Sequence, residues 1–415
     1  MLDRQASAAR TAAVEPTWMY SRRPVGRVTA PSATQELFCR GDGRAFMNER
    51  LKLYPNNPNR QPFAELMLPI TLKLNTIMTD RNLADWHNRA ALFEQEINKA
   101  VIGLERPVRL VTTAIFARGH AMLEGDVGVG KTTLLRAVAR GIGGAYERIE
   151  GTIDLMPNDL VYHTYINEAG KPQVDPGPIL KHGEELSTFF FNEVNRARPQ
   201  VHSLLLRVMA EKSVTAFNRE HYFPHLQVFA DRNRVEKDET FEIPSAARDR
   251  FMMELKIETP EDPALQRELM FNPRFYDVDA LIETIQPGIL PYRELNEISR
   301  QIQHHIQASE TLQNYALQLW QATRFPKNFS IALDNVDMDR LILAGASARG
   351  AGMLMRAARV TAWLNGRTHV LPEDIREIFH ETIAHRVFFN PTYELRRTLL
   401  AEQLSQKILQ QVAAP

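Results

Sequence analysis

The sequence has only one cysteine, Cys39, among its 415 residues. A single cysteine excludes an internal disulfide bond and a zinc site built from several cysteine ligands, and it fits a reducing compartment. We therefore expect a cytoplasmic protein.

Long apolar runs and an excess of charge of one sign are also missing. No stretch approaches the roughly 18 consecutive apolar residues that a membrane-spanning helix requires, so a soluble chain is expected. Lysine plus arginine equals aspartate plus glutamate, at 50 residues each. This balance gives no general indication of a nucleic acid or an anionic membrane surface as partner.

The first 77 residues have little apolar periodicity. They carry eleven lysine and arginine residues against six aspartate and glutamate residues, and prolines recur throughout. Such a composition predicts a mostly disordered extension. Because Met78-Thr79-Asp80 resembles a translation start, a second hypothesis is that residues 1–77 come from an over-long gene assignment.

Folded protein is predicted to begin at Met78. One apolar stripe at helical spacing follows, formed by Leu83, Trp86, Ala90, Phe93, Ile97 and Val101. Up to about Glu258, short apolar runs alternate with helical patterns, which predicts an α/β core with a parallel sheet. An α-helical lid is predicted over residues 259–391 and a helical tail over residues 392–415.

One glycine-rich segment carries a specific chemistry. Residues 125–132 read GDVGVGKT and fit G-x-x-x-x-G-K-[ST] between a strand-like and a helix-like segment. Glycines let backbone N–H groups converge on phosphate oxygens, and the helix N-terminus favours negative charge. The pattern predicts an ATP site in which Lys131 contacts the β- and γ-phosphates and Thr132 ligates Mg²⁺. The predicted nucleotide-binding residues are Gly125, Asp126, Val127, Gly128, Val129, Gly130, Lys131, Thr132 and Thr133.

A second acidic site is predicted at the end of the apolar strand FFFNE. Glu193 stands where a carboxylate orients the attacking water, and it is the predicted catalytic base. Asn192 holds the place where an aspartate is expected next to the metal. A neutral amide can accept a hydrogen bond from a metal-bound water but adds no charge, so weakened metal binding or turnover is expected. The alternative for Glu193 is a solvated carboxylate at a strand end.

The histidines do not form a metal motif, because none pair at i, i+4 around a glutamate. Solvated or singly bonded histidines explain them, and Mg²⁺ with the nucleotide is the only metal predicted.

Four segments, in this order along the chain, resemble the MoxR family of AAA+ ATPases over roughly residues 80–390. They are GDVGVGKT, RIEGTIDLMPNDLV, FFFNEVNRARPQVHSLLLRVMAEKSVT and PSAARDRF. The chain is most similar to members encoded with methanol dehydrogenase genes. The resemblance implies an ATP-driven chaperone or remodelling factor, a six-membered ring, a partner with a von Willebrand factor A domain, and a client such as methanol dehydrogenase.

The same resemblance implies three further catalytic positions. Asn233 resembles the sensor 1 residue, although Arg232 and Arg234 depart from the family string around it. Arg250 resembles the arginine finger that reaches a neighbouring subunit's nucleotide; a surface ion pair with Asp249 or Glu254 is the alternative. Arg349 resembles the sensor 2 arginine that a lid lowers onto the phosphates of its own subunit.

Two hairpins are predicted from alternating residues around polar turns, near residues 161–174 and 214–223. In the related ATPases such hairpins face the ring pore, so Tyr162, Tyr165, His221 and Tyr222 are candidates for client contact. Plain sheet-edge hairpins are the alternative.

Two rival functions also stay open, a nucleotide-gated scaffold with negligible hydrolysis and a DNA-remodelling motor.

Overall fold

The computed structural model describes residues 81–233 and 241–415. All of them belong to a compact unit that spans Lys73–Pro415. The predictions for residues 1–77, and for a start at Met78, lie outside the described residues.

The strands, in chain order, are β1 (His120–Gly125), β2 (Ala145–Glu150), β3 (Tyr162–Ile166), β4 (Pro172–Pro176), β5 (Leu186–Asn192), β6 (Ser213–Ala216), β7 (Arg219–Tyr222), β8 (Gln227–Asn233), β9 (Phe251–Ile257), β10 (Ile342–Ala344) and β11 (Phe388–Phe389). The helices are α1 (81–100), α2 (Glu105–Phe116), α3 (Lys131–Ile142), α4 (Pro157–Val161), α5 (Pro199–Glu211), α6 (Ser245–Arg248), α7 (Pro263–Phe271), α8 (Val278–Glu283), α9 (Leu295–His305), α10 (Glu310–Arg324), α11 (Met338–Leu341), α12 (Ala348–Leu364), α13 (Pro372–Ile383) and α14 (Arg397–Gln411).

A five-stranded parallel sheet in the order β2-β5-β8-β1-β9 forms the centre of the α/β part. The predicted α/β fold class is confirmed. Every residue of β5 is buried, as expected for a parallel strand covered on both faces. Phe190 packs into the apolar core on the face that holds α2 and α3, whereas Phe189 and Phe191 pack into the core on the opposite face with α5.

The apolar stripe predicted for the first helix is confirmed. Its six residues are at most 5% exposed, and they join the core that also contains α3. The sheet ends at Ile257 and only helices, with the short β10–β11 pair, follow it. The exact domain boundaries at residues 258 and 391 stay predictions.

Both predicted hairpins are confirmed. Strands β3 and β4 pair antiparallel, as do β6 and β7, and both hairpins lie outside the central sheet.

Candidate functional site

The phosphate-binding segment lies between β1 and α3, at the edge of the sheet where its parallel strands end. Gly128 and Gly130 adopt φ angles of 81° and 89°, a region that favours glycine. A Cβ at Gly125 would lie 2.3 Å from the Ile257 carbonyl oxygen, so only glycine fits there. No side chain caps the N-terminus of α3, which leaves backbone N–H groups for an anion. Residues 126–128 are exposed, and the segment fits a nucleotide's phosphates.

Lys131 connects this segment to the neighbouring strand. Its buried ammonium donates hydrogen bonds of 2.8 Å to the carbonyl oxygens of Gly125 and Asp126 and to Oδ1 of Asn233. The structure therefore brings the predicted Lys131 and Asn233 into direct contact.

Glu193 completes a chain of contacts with the same groups. Its Oε1 accepts a hydrogen bond from Asn233 Nδ2 at 3.1 Å, and its Oε2 accepts one from Arg196 Nη1 at 3.0 Å. The backbone at Glu193 has φ 51°, a conformation that side-chain-bearing residues seldom adopt and that recurs at functional sites. Lys131, Asn233 and Glu193 thus form one connected polar site, and their roles toward a nucleotide stay predictions.

Asn192 is the last residue of β5, next to Glu193, as predicted. Its side chain is 6% exposed, and its Nδ2 donates a 2.8 Å hydrogen bond to Glu150 Oε1 on β2. The amide is thereby fixed by a carboxylate from the neighbouring strand.

Asp231 is a site residue that the sequence reasoning missed. Its carboxylate is 2% exposed; Oδ1 accepts a 2.6 Å hydrogen bond from the Glu193 N–H, and Oδ2 lies 3.9 Å from Lys131 Nζ. Burial raises the pKa of Asp231 to about 6, and the Glu193 N–H and Lys131 oppose that shift. The sequence does place an aspartate inside the apolar run VFAD, two residues before Asn233. Side chains two residues apart lie on the same face of a strand, so this spacing could have indicated Asp231 as a site residue.

The predicted arginines Arg250 and Arg349 lie at the opposite edge of the sheet. Arg250 directly precedes β9, whose Phe251 pairs with His120 at the start of β1, whereas Gly125 ends β1. Over that strand the two edges are about 16 Å apart at some 3.3 Å per residue. Arg250 Nη1 donates to the Ala246 carbonyl oxygen, and Arg250 has no ion pair among the described residues.

Arg349 is bonded at the same edge of the sheet as Arg250. Its Nη1 donates a 2.7 Å hydrogen bond to Oδ2 of Asp249, the residue before Arg250. Contact with the phosphates of its own subunit stays a prediction, since Arg349 lies at the far edge of the sheet from its own phosphate-binding segment. The physical reason is the packing of α12 and α13 against β9, which the local sequence around Arg349 does not encode.

The two hairpins carry exposed aromatic and aliphatic side chains. Tyr165 is 44% exposed and Tyr222 is 54% exposed, while Tyr162 and His221 are half-buried. The Tyr162 ring lies 5.0 Å from that of Phe217, at the turn of the β6–β7 hairpin, so the hairpins touch. Ile166 and Phe217, which the sequence reasoning did not select, are also exposed.

Residues 81–233 and 241–415 contain neither a cluster of metal-ligating side chains nor a membrane-spanning helix. No group of three or more histidine, cysteine, aspartate and glutamate side chains is placed to hold a metal ion there. In the same ranges no helix has the length and apolar character needed to cross a bilayer.

The sheet order, the glycine-rich segment and the Lys131–Asn233–Glu193 contacts define a P-loop ATPase of the AAA+ class. Residues 120–253 match the family described as "ATPase family associated with various cellular activities (AAA)", and residues 338–408 match "AAA lid domain". The chain is 58% identical to Protein MoxR of Methylorubrum extorquens over 82% of its own length and 100% of the relative's. It belongs to the MoxR family of AAA+ ATPases.

Other proteins are similar to this chain over most of its length at lower sequence identity. Protein MoxR of Paracoccus denitrificans is 51% identical, over 81% of this chain and 99% of the relative. The protein named Chaperone MoxR1 of Mycobacterium tuberculosis is 29% identical, over 77% of this chain and 81% of the relative. A crystal structure of a Cytophaga hutchinsonii protein has a TM-score of 0.71 at 29% identity, covering 82% of this chain and 99% of that one.

Proposed function

We propose that this protein hydrolyses ATP and uses the energy to remodel a client protein. The observation that carries the proposal is the connected site formed by Lys131, Asn233 and Glu193. Lys131 would exchange its carbonyl contacts for phosphate oxygens, Glu193 would orient and deprotonate the attacking water, and Asn233 would link the two. Thr132, with Asn192 through a water, would hold Mg²⁺, which offsets the negative charge of the phosphates.

The position of Arg250 supports action between subunits. It lies at the sheet edge opposite its own phosphate-binding segment, so it can complete a site only on a neighbouring subunit. Such head-to-tail contacts generate a closed ring when the rotation closes. Arg349 shares this edge, and we propose the same neighbouring site for it. Six subunits, and an adaptor carrying a von Willebrand factor A domain, follow from the family resemblance.

The client is proposed to contact the two hairpins. Their exposed Tyr165 and Tyr222, with Tyr162 and His221 beside them, offer aromatic contact area at low conformational cost. The name of the Mycobacterium tuberculosis relative supports a chaperone role. The resemblance to members encoded with methanol dehydrogenase genes supports a client of that metalloenzyme type.

Asn192 favours one rival function, a nucleotide-gated scaffold, because it lacks the negative charge that is expected next to the metal. A DNA-remodelling motor has less support, since the charges balance and no nucleic-acid-binding module is recognisable. Salt-dependent binding of single-stranded DNA would favour the motor.

A substrate trap tests the remodelling proposal. Glu193→Gln should keep ATP bound and retain the client, so affinity purification with ATP should recover a protein that Lys131→Ala does not. Tyr165→Ala and Tyr222→Ala in the trap background should reduce that recovery. Equal recovery on the trap and on Lys131→Ala would count against ATP-dependent client binding.

A further inference from the structure

Three polar side chains form a row across the sheet next to the phosphate-binding segment. Glu150 on β2 is the register partner of Asn192 on β5. Phe191 pairs with Ala230 on β8, so the following residues, Asn192 and Asp231, are also neighbours. The row therefore reads carboxylate, amide, carboxylate.

The members of the row face the same side of the sheet. Phe190 and Phe229, two residues before Asn192 and Asp231, both belong to the core that contains α3. Side chains two residues apart on a strand share a face. Asn192 and Asp231 therefore lie on the α3 face, beneath the helix that begins with Lys131 and Thr132.

The two carboxylates of the row differ in their surroundings. Asp231 is 2% exposed, 3.9 Å from Lys131 Nζ, and bonded to the Glu193 N–H. The Glu150 side chain is 57% exposed and faces Arg148 at 3.4 Å as well as the Asn192 amide. Asp231 is thus inside the site, and Glu150 is at its rim.

We propose that Asp231 supplies the buried carboxylate that the Mg²⁺ side of the nucleotide site needs, in place of a carboxylate at position 192. This inference rests on the proposed ATP site. Asn192 then stays the neutral member of the Mg²⁺ site, which Glu150 holds in orientation and which separates two negative charges. Like charges directly opposite on neighbouring strands destabilise a sheet, so an aspartate at 192 beside Asp231 and Glu150 would be disfavoured.

The proposal predicts that the charge can be moved between positions 231 and 192. Asp231→Asn keeps the shape and the oxygen that accepts from the Glu193 N–H, but removes the charge. The reciprocal variant Asn192→Asp/Asp231→Asn returns one carboxylate to the row's centre. Glu150→Gln is the matched control, because it neutralises the other end of the same row.

The experiment measures equilibrium binding of a fluorescent ATP analogue to the full-length protein across a Mg²⁺ titration and in EDTA. Asp231→Asn should raise the half-saturating Mg²⁺ concentration roughly ten- to a hundredfold, the usual cost of losing a group that supports a metal site. Binding in EDTA should not weaken. The reciprocal variant should recover most of the Mg²⁺ dependence, Asn192→Asp alone should not improve on wild type, and Glu150→Gln should match wild type.

Three results would overturn the proposal. The first is an unchanged Mg²⁺ dependence in Asp231→Asn. The second is an equal loss of nucleotide binding with Mg²⁺ and in EDTA, which would mean that Asp231 only positions Lys131. The third is a reciprocal variant that melts like wild type yet stays as weak as Asp231→Asn. Failure of the ATP site itself is distinguishable, because wild type would then bind no nucleotide at any Mg²⁺ concentration.

Discussion

Arg349 and Asp249 are joined by a 2.7 Å hydrogen bond, although they are 100 residues apart in the chain. The bond brings an arginine of the helical region to within one residue of Arg250. Arg386, whose side chain is fully buried, donates from Nε to the other oxygen of Asp249 at 3.2 Å. Ser347 donates to that same oxygen at 2.6 Å. Asp249 therefore ties three groups of the lid to the segment that presents Arg250.

Mixing subunits tests whether both arginines act on a neighbouring site. Arg250→Ala and Arg349→Ala should each lower ATP hydrolysis, and doping either with Lys131→Ala subunits should restore part of it. Each restored subunit interface takes its phosphate-binding segment from one subunit and its arginine from the other. Phosphate release across a range of mixing ratios checks this.

Light scattering should first establish that all three variants still assemble. An Arg349→Ala mixture that stays inactive while the Arg250→Ala mixture recovers would indicate that Arg349 acts on the site of its own subunit.

Removal of Asp249 should destabilise the fold. Burial lowers the pKa of Arg386 to about 10, and Asp249, with a smaller contribution from Glu254, opposes the shift. Asp249→Ala leaves a buried guanidinium without its ion-pair carboxylate, which costs about 3–5 kcal/mol in the free energy of unfolding. Urea denaturation measures it. Asp262→Ala, which removes only the exposed N-cap of α7, should cost about 1 kcal/mol and serves as control. Equal losses would mean that the Asp249 cluster adds no special stability.

Gly125→Ala should abolish nucleotide binding and lower the melting temperature, because the new Cβ would lie 2.3 Å from the Ile257 carbonyl oxygen. The comparison is Gly352→Ala within α12, where nothing lies within 4 Å. That change should stabilise the helix by up to about 1 kcal/mol. Calorimetry and nucleotide titration check both. Normal ATP affinity in Gly125→Ala would show that the segment tolerates displacement.

Acid should weaken the fold through His120. Burial is the main cause that lowers the pKa of His120 to about 3, with nearby Lys212 and Arg118 contributing. Below pH 6.5 the unfolded chain binds a proton at this histidine and the folded chain does not. The free energy of unfolding therefore falls as the pH falls from 6.5 towards 3. One such group contributes a slope of up to about 1.4 kcal/mol per pH unit.

His120→Gln, which does not titrate but can still donate and accept, should reduce that slope by about one proton. Denaturation midpoints at several pH values between 6.5 and 4.5 provide the measurement. A variant as acid-sensitive as wild type would assign the effect to other groups.

Much of the α/β core could be predicted because its signals are local. The stripe from Leu83 to Val101, the run FFFNE and the glycine-rich segment each encode their own structure in neighbouring residues. Arg349 could not be placed, since its position depends on packing between α12 and a strand about 100 residues earlier. Asp231 was missed for a similar reason. The role proposed for it depends on which strands are neighbours in the sheet, and an isolated aspartate in an apolar run does not indicate that.

Lys131 and Glu193 are proposed to work in one hydrolytic site. Steady-state phosphate release from purified full-length protein tests it most directly, with Lys131→Ala as the blank and Glu193→Gln as the second arm. We expect Mg²⁺-dependent release by wild type, none by Lys131→Ala, and ATP binding without release by Glu193→Gln. Wild-type release equal to the Lys131→Ala blank, or normal release by Glu193→Gln, would contradict it.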